Sequence, residues 1–399
     1  MECIDRIDRR GMVVGTLGPL APVAHDQVHI QKPALDFMGA RCDRRLHRAA
    51  QWLVVLVCVL SGSVSTRAAE AGDVVPQGTN PPSLQFDNAL PSGAAFKLSG
   101  SDARLQLIVS HHQPGELQKD VTHQVEYRVD QPDVIRIADG MVIPLRDGEA
   151  VVTAVNRDGL TADFQVTVED TGNEAAISFP GRVVPIFTKL GCNGGGCHGK
   201  LAGQNGFKLS LLGFEPREDY EHLVRESRGR RLSPASPDQS LLLQKSINAS
   251  PHGGGKRLNV DSHEYRILSR WISQGMPYGN DDEPQVVSIE VVPSHRRLAA
   301  ASTQQLAVLA TYSDGKVEDV TRGAVYESND SEMADCDENG RVELKELVGD
   351  VAVMARYQGH VTVFRADIPV SKSTVAQDAF PQTTENVVDR HVFAKLQSL

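Results

Sequence analysis

The sequence predicts a multidomain protein in which two all-β sandwiches flank one small all-α domain. Three observations carry this expectation. Residues 94–170 are filled by short runs in which apolar and polar side chains alternate, the period of half-buried strands. The same layout, with some of the same local words, returns at 285–371, and such recurrence marks repeated modules. Between them, over 178–280, the apolar period lengthens to that of helices.

The chain has 399 residues, 40% hydrophobic and 23% charged, a composition ordinary for soluble domains and a length sufficient for two or three of them. Residues 1–71 predict an N-terminal extension with an export signal. Arg41, Arg44, Arg45 and Arg48 precede an apolar run over 52–60, and Ala69-Glu-Ala71 follows as a small-x-small cleavage site. That run is shorter than the roughly 20 residues a membrane span needs. The mature chain is therefore expected to lack a stable span and to be exported to the periplasm, the cell surface or the medium. Met38 competes with Met1 as the true start. Residues 72–93, rich in Pro, Gly, Asn and Ser, read as a linker.

In the first sandwich the alternating runs are 105–109, 125–129, 150–155 and 164–168; in the second they are 289–292, 306–312, 351–357 and 361–364. Asp120-Val-Thr122 recurs as Asp319-Val-Thr321, ahead of runs carrying Tyr127 and Tyr326. A glycine turn follows in each copy, at Asp139-Gly140 and Asn339-Gly340. With Tyr312-Ser-Asp-Gly315, these words resemble the group 2 bacterial immunoglobulin-like domain, an adhesion and spacer module. The resemblance implies immunoglobulin-like sandwiches. Neither copy shows a catalytic constellation, and fold alone assigns no activity, so enzymatic function is not expected.

In the helical domain, Ser236-Pro-Asp-Gln239 and Asp261-Ser-His-Glu264 read as helix starts with capping boxes. Tyr265, Leu268, Trp271 and Ile272 then share one face, and Gly275 and Pro277 end the helix.

Net charge is −10, with no basic stripe interleaved with aromatics, which excludes a nucleic-acid surface. Of six cysteines, Cys3, Cys42 and Cys58 fall in the segment expected to be removed, leaving Cys192, Cys197 and Cys336. An odd set with one close pair is a poor disulfide framework.

That pair carries the chemistry. In Cys192-Asn-Gly-Gly-Gly-Cys197-His198, two thiols precede a histidine, the order that attaches c-type haem through its vinyl groups and supplies the proximal iron ligand. The usual spacer has two residues; here it has four, three of them glycines that let the backbone fold tightly. A Cys192–Cys197 disulfide fits the same residues in an exported protein. Zinc lacks a second ligand pair. The phosphate-cradle pattern nearly met over 194–200 fails at Leu201, where Ser or Thr would hold magnesium.

The surrounding words add a resemblance. The Cys192–His198 segment, Asn205-Gly-Phe-Lys-Leu-Ser-Leu211, Pro251-His-Gly-Gly-Gly-Lys-Arg257 and Trp271-Ile272 together resemble planctomycete-type surface or secreted proteins that join a cytochrome-c-like domain to group 2 immunoglobulin-like modules. The resemblance implies one covalent haem c held by Cys192, Cys197 and His198, in an electron carrier or redox-coupled surface protein. Its redox partner is unknown, and cell-surface contacts would run through the sandwiches. In related small cytochromes the distal ligand precedes the last helix, which points here to His252, with Met276 as runner-up. Arg217, Arg225, Arg228, Arg230 and Arg231 are candidates for the haem carboxylates. The alternative function is a non-catalytic adhesive or structural protein in which the cysteines form a disulfide. Residues 380–399 look like the start of a larger conserved domain, so the chain reads as a C-terminally truncated member.

Overall fold

The computed structural model describes residues 81–89, 93–370 and 386–398. The export signal, with Cys3, Cys42 and Cys58, lies outside the described residues.

Among the described residues each sandwich contains ten strands in three small sheets. In the first, Ser83–Phe86 pairs with Val109–His112, which pairs with Lys119–Asp120. The main sheet runs Phe96–Ser99, Thr161–Glu169, Gly148–Val155, Glu126–Val129, and a third sheet joins Leu105–Gln106, Met141–Pro144 and Ile135–Ala138. The second copy repeats this order strand for strand, with a main sheet of His295–Arg297, His360–Ile368, Gly349–Tyr357 and Val325–Ser328. In both main sheets the outer strand runs parallel to its neighbour and the remaining pairs are antiparallel. Alternation puts Phe164, Val166 and Val168 inward. Phe164 meets Phe86 edge-on, with centroids 5.2 Å apart. The repeated words explain a shared corner: Tyr127 donates its hydroxyl to the Thr122 carbonyl (2.8 Å) and Tyr326 to that of Thr321 (2.9 Å), as tyrosine corners do in immunoglobulin-like folds.

The two copies also grip each other. Asp120 accepts the Thr122 N–H and, across the interface, the Gln305 N–H (2.8 and 2.5 Å). Asp319 does the same with Thr321 and Gln106 (2.8 and 2.7 Å). Gln305 Oε1 faces His123 Nε2 at 3.0 Å, while Gln106 Oε1 accepts from Arg322 at 3.3 Å. The Asp-Val-Thr word thus serves its own corner and its sister domain at once.

Two expectations need correction. The segment 72–93 is not all linker, because Ser83–Phe86 is a strand whose Leu84 and Phe86 are buried; its flanking prolines and glycines masked a four-residue alternation. The central domain has helices and no strand among its described residues, but less helix than its apolar spacing suggests. Its helices are Val184–Lys189, Pro216–Tyr220, Leu241–Ser246 and His263–Ser273, joined by helical turns and loops. Left-handed backbone at Gly191, Gly203, Gly206 and Gly213 breaks the chain repeatedly between the first two.

The central core is nonetheless well packed. Phe179 sits among Phe187, Tyr220, Trp271 and Tyr278, with centroids 5.3–6.3 Å away. Trp271 is fully buried and donates to the Pro277 carbonyl at 2.9 Å. The last helix starts at Ser262, whose hydroxyl caps the Tyr265 N–H (3.1 Å), one residue later than the predicted box. Ser236 makes no capping bond; its turn, Pro237–Gln239, ends at Ser240. Near the C-terminus, Val387–Ser398 is helical. No helix among the described residues is long and apolar enough to cross a membrane.

Candidate functional site

The site begins where the helix Val184–Lys189 ends. Gly191 turns the chain with φ of 72°, and the Cys192 N–H bonds back to the Phe187 carbonyl at 2.8 Å. The four-residue spacer then closes on itself. His198 N–H reaches the Cys192 carbonyl (3.0 Å), while the Cys197 and Gly199 N–H groups share the Gly194 carbonyl (2.9 and 3.1 Å). A Cβ at Gly199 would lie 2.0 Å from the Asn193 carbonyl oxygen, so only glycine fits there. Buried Asn193 fastens the loop to the helix by donating to Thr188 Oγ1 at 2.9 Å.

His198 Nδ1 faces the Phe207 carbonyl at 3.0 Å, and His252 Nδ1 faces the Gly255 carbonyl at 2.9 Å. A carbonyl only accepts, so in both rings Nδ1 carries the proton and Nε2 keeps its lone pair. That is the tautomer of a metal-ligating histidine with its second partner in place. The two ring planes lie 7° from parallel with centroids 6.4 Å apart. Burial, with the charges of His252, Arg231 and Lys200 acting alongside it, holds the His198 imidazole below its ordinary pKa.

Cys192, Cys197, His198 and His252 all line one cavity of about 530 Å³. Its apolar wall includes Phe187, Leu209, Leu223, Leu241 and Leu242, and its cations are Arg230, Arg231, Lys245 and Arg257. Met276 is not on this wall. It follows the last helix with φ of 59°, its carbonyl accepts from the Tyr220 hydroxyl at 2.6 Å, and it packs against the aromatic core. The runner-up ligand does not line the cavity. Of the predicted arginines, Arg230 and Arg231 reach the cavity, whereas Arg217 pairs with Asp281 and Arg225 with Glu221. Lys245 and Arg257 had no role from spacing alone; they come from a helix end and a loop that meet only in the fold.

The residues present fit a haem. His198 and His252 would be the residues to hold its iron, their rings 7° from parallel with centroids 6.4 Å apart. The cavity lies within the roughly 300–1,000 Å³ of small-molecule sites, and its mixed lining suits a flat apolar ring with carboxylate substituents. The disulfide of the alternative is not formed: Cys192, Cys197 and Cys336 are free thiols. Burial pushes the Cys192 thiol up to about 11, so the thiolate needed for oxidation is scarce at neutral pH. Among the described residues no group of three or more His, Cys, Asp or Glu is placed to hold a metal ion.

A larger cleft, about 710 Å³, lies where the three domains meet. It is lined by carboxylates as well as cations, and Arg182 there pairs with Glu318 at 2.8 Å.

No protein-family model matches the chain, and no curated protein does. Among solved structures, domains 5–6 of the S-layer protein SbsC match with 8% identity and a TM-score of 0.28, over 72% of this chain and all of that one. Domains 1–6 of the same protein give 11% and 0.19, with 74% of this chain covered and only 29% of that one. Drosophila N-cadherin EC1-4 gives 10% and 0.16, over 73% of this chain and 50% of that one. The overlap is shallow, and the immunoglobulin-like assignment stands on the strand order and corners described above.

Proposed function

We propose that the chain is an exported, immunoglobulin-like surface or periplasmic protein whose central domain holds one haem c. In this reading the two sandwiches are structural, and the central domain is a cytochrome-c-like module. Cys192 and Cys197 would hold the haem through thioethers to its vinyl groups. His198 and His252 would offer Nε2 to its iron. Bound there, haem supplies one-electron exchange with a partner protein. The chain's own part is to hold both imidazoles in one tautomer and to surround the ring with leucines that exclude water. Two imidazoles favour a lower potential than an imidazole and a thioether. The observation that carries the reading is that His198 and His252, with near-parallel rings, line one cavity together with both cysteines.

The test is expression of the full chain with its export signal alongside a haem-ligation system. A denaturing gel should show a peroxidase-active band that Cys192→Ser/Cys197→Ser abolishes. A colourless product would end the haem reading. It would leave the second reading, an adhesive or structural sandwich protein, which is favoured by the sandwiches' share of the molecule and by their reciprocal grip.

A further inference from the structure

Where the three domains meet, each sandwich ends a sheet in an open strand. Phe96–Ser99 is the outer strand of one sheet in the first sandwich, and Val317–Asp319 is the outer strand of one in the second. Both line the cleft of about 710 Å³. The phase of each ladder fixes which backbone groups face outward. The Gly100 N–H reaches the Glu169 carbonyl at 2.8 Å. Alternate residues of a strand turn to the same neighbour, so Leu98 faces the sheet while Lys97 and Ser99 face away from it. In the second sandwich the Tyr312 N–H reaches the Lys316 carbonyl (2.9 Å) and the Val320 N–H the Val308 carbonyl (2.8 Å). That leaves Val317 and Asp319 facing out. The grip on Gln106 takes up the Asp319 end, whereas Val317 stays 41% exposed. A run of unpaired N–H and C=O groups is a template for another strand, and here it lies in a cleft instead of on an open surface.

The charges in the cleft are unequal in their partners. Glu169 is met by Lys97, Glu318 by Arg182 and Asp102 by Arg270. Two cations have no carboxylate bonded to them. Lys189 donates to the carbonyls of Ala324 and Glu338, both at 2.5 Å. Arg104 donates to those of Ser101 (3.0 Å) and Ala103 (2.6 Å) and to His263 Nδ1 (3.0 Å), a nitrogen that must accept and so leaves the ring neutral. Glu264 also lines the cleft and its charge is felt by both cations, yet it forms an ion pair with neither. Burial without a counter-charge brings Lys189 down to about 8 and Arg104 to about 10.

We propose that this cleft binds an extended acidic peptide as a strand added to Phe96–Ser99. The outward N–H and C=O groups of Lys97 and Ser99 supply main-chain hydrogen bonds, Val317 supplies apolar contact, and Arg104 and Lys189 favour a carboxylate. Main-chain pairing gives such a site its affinity and the side chains give it selectivity.

The experiment titrates the full chain with fluorescein-labelled acetyl-Thr-Val-Asp-Val-Thr-amide and follows anisotropy. Saturable binding is expected. The peptide with a fully N-methylated backbone should bind at least roughly tenfold more weakly, as should the one with Asn in place of Asp. Ser99→Pro removes one outward N–H and no ladder bond, and should weaken binding, whereas Ser99→Ala should not. The altered peptides leave the protein untouched, so the test stands even if Ser99→Pro disturbs the sheet. Binding that survives N-methylation would overturn strand addition, and equal binding of the Asp and Asn peptides would overturn the acidic preference. No saturation by about 1 mM would remove the site altogether.

Discussion

The two sandwiches share a strand order and a corner, yet they meet each other through unlike side chains. Each gives an aspartate to the other's backbone, Asp120 to Gln305 and Asp319 to Gln106. Beside those aspartates stand His123 in one copy and Arg322 in the other, each facing the opposite glutamine. His123 Nδ1 also meets Asp139 at 3.1 Å. Equivalent positions have kept a cationic or proton-donating group where the partner offers an acceptor. The backbone grip is repeated and the side-chain grip has diverged. Duplicated modules can therefore become an interdependent pair without losing the pattern by which each folds.

The largest test of that interdependence is a core truncation in either copy. Phe164→Ala and Phe364→Ala each remove a buried ring and should cost about 3–5 kcal/mol. If the grip couples the domains, calorimetry will show one transition displaced by either variant. Two transitions, each answering to one variant, would make the sandwiches independent beads.

A smaller effect comes from the grip itself. Asp120→Ala or Asp319→Ala strands backbone N–H groups on both sides and should cost about 1–3 kcal/mol. Desolvation drives the Asp319 carboxyl up to about 6, so the folded form binds its proton more tightly than the unfolded chain. Its contribution to stability is therefore present at low pH and is lost as pH rises from about 4 through 6. Thermal melts of Asp319→Asn should lack that component, and a wild-type slope unchanged by the substitution would refute the assignment. The smallest effect is expected of His123→Arg, which makes the copies alike and should shift stability by no more than about 0.5 kcal/mol. A large loss would mean that the imidazole geometry itself matters.

The sandwiches were legible because alternation and turn words are local. The strand Ser83–Phe86 was missed because four residues between prolines and glycines give too little period. The reciprocal Asp–Gln contacts had no signal, since Asp120 and Gln305 are joined only by tertiary packing. In the centre, Trp271 and its helix face followed from spacing, whereas the glycine-broken loops that displace helix did not. His252 was singled out from its place before the last helix, and the fold sets it on the cavity wall. The fixed Nδ1 partners of both histidines are backbone carbonyls, and no side-chain pattern encodes those. Lys245 and Arg257 look like ordinary solvated charges until the fold sets them around one cavity.

Charge is distributed in blocks: residues 178–280 carry 14 Lys and Arg against 8 Asp and Glu, while 94–170 carry 7 against 13 and 285–371 carry 8 against 14. Arg270 reaches Asp102 of the first sandwich and Arg182 reaches Glu318 of the second. These partly exposed pairs are individually weak and salt-sensitive, so the centre is held by more than attraction.

The reciprocal grip supplies the remainder through chain statistics. With the sandwiches fastened together, the central domain is a loop whose two ends are already joined. Its unfolded form is then a closed ring of roughly a hundred residues, with fewer conformations than a free segment of that length. A noncovalent contact between sandwiches thus acts on the centre as a cross-link would. It lets a domain of short helices and many glycines keep a cavity in shape.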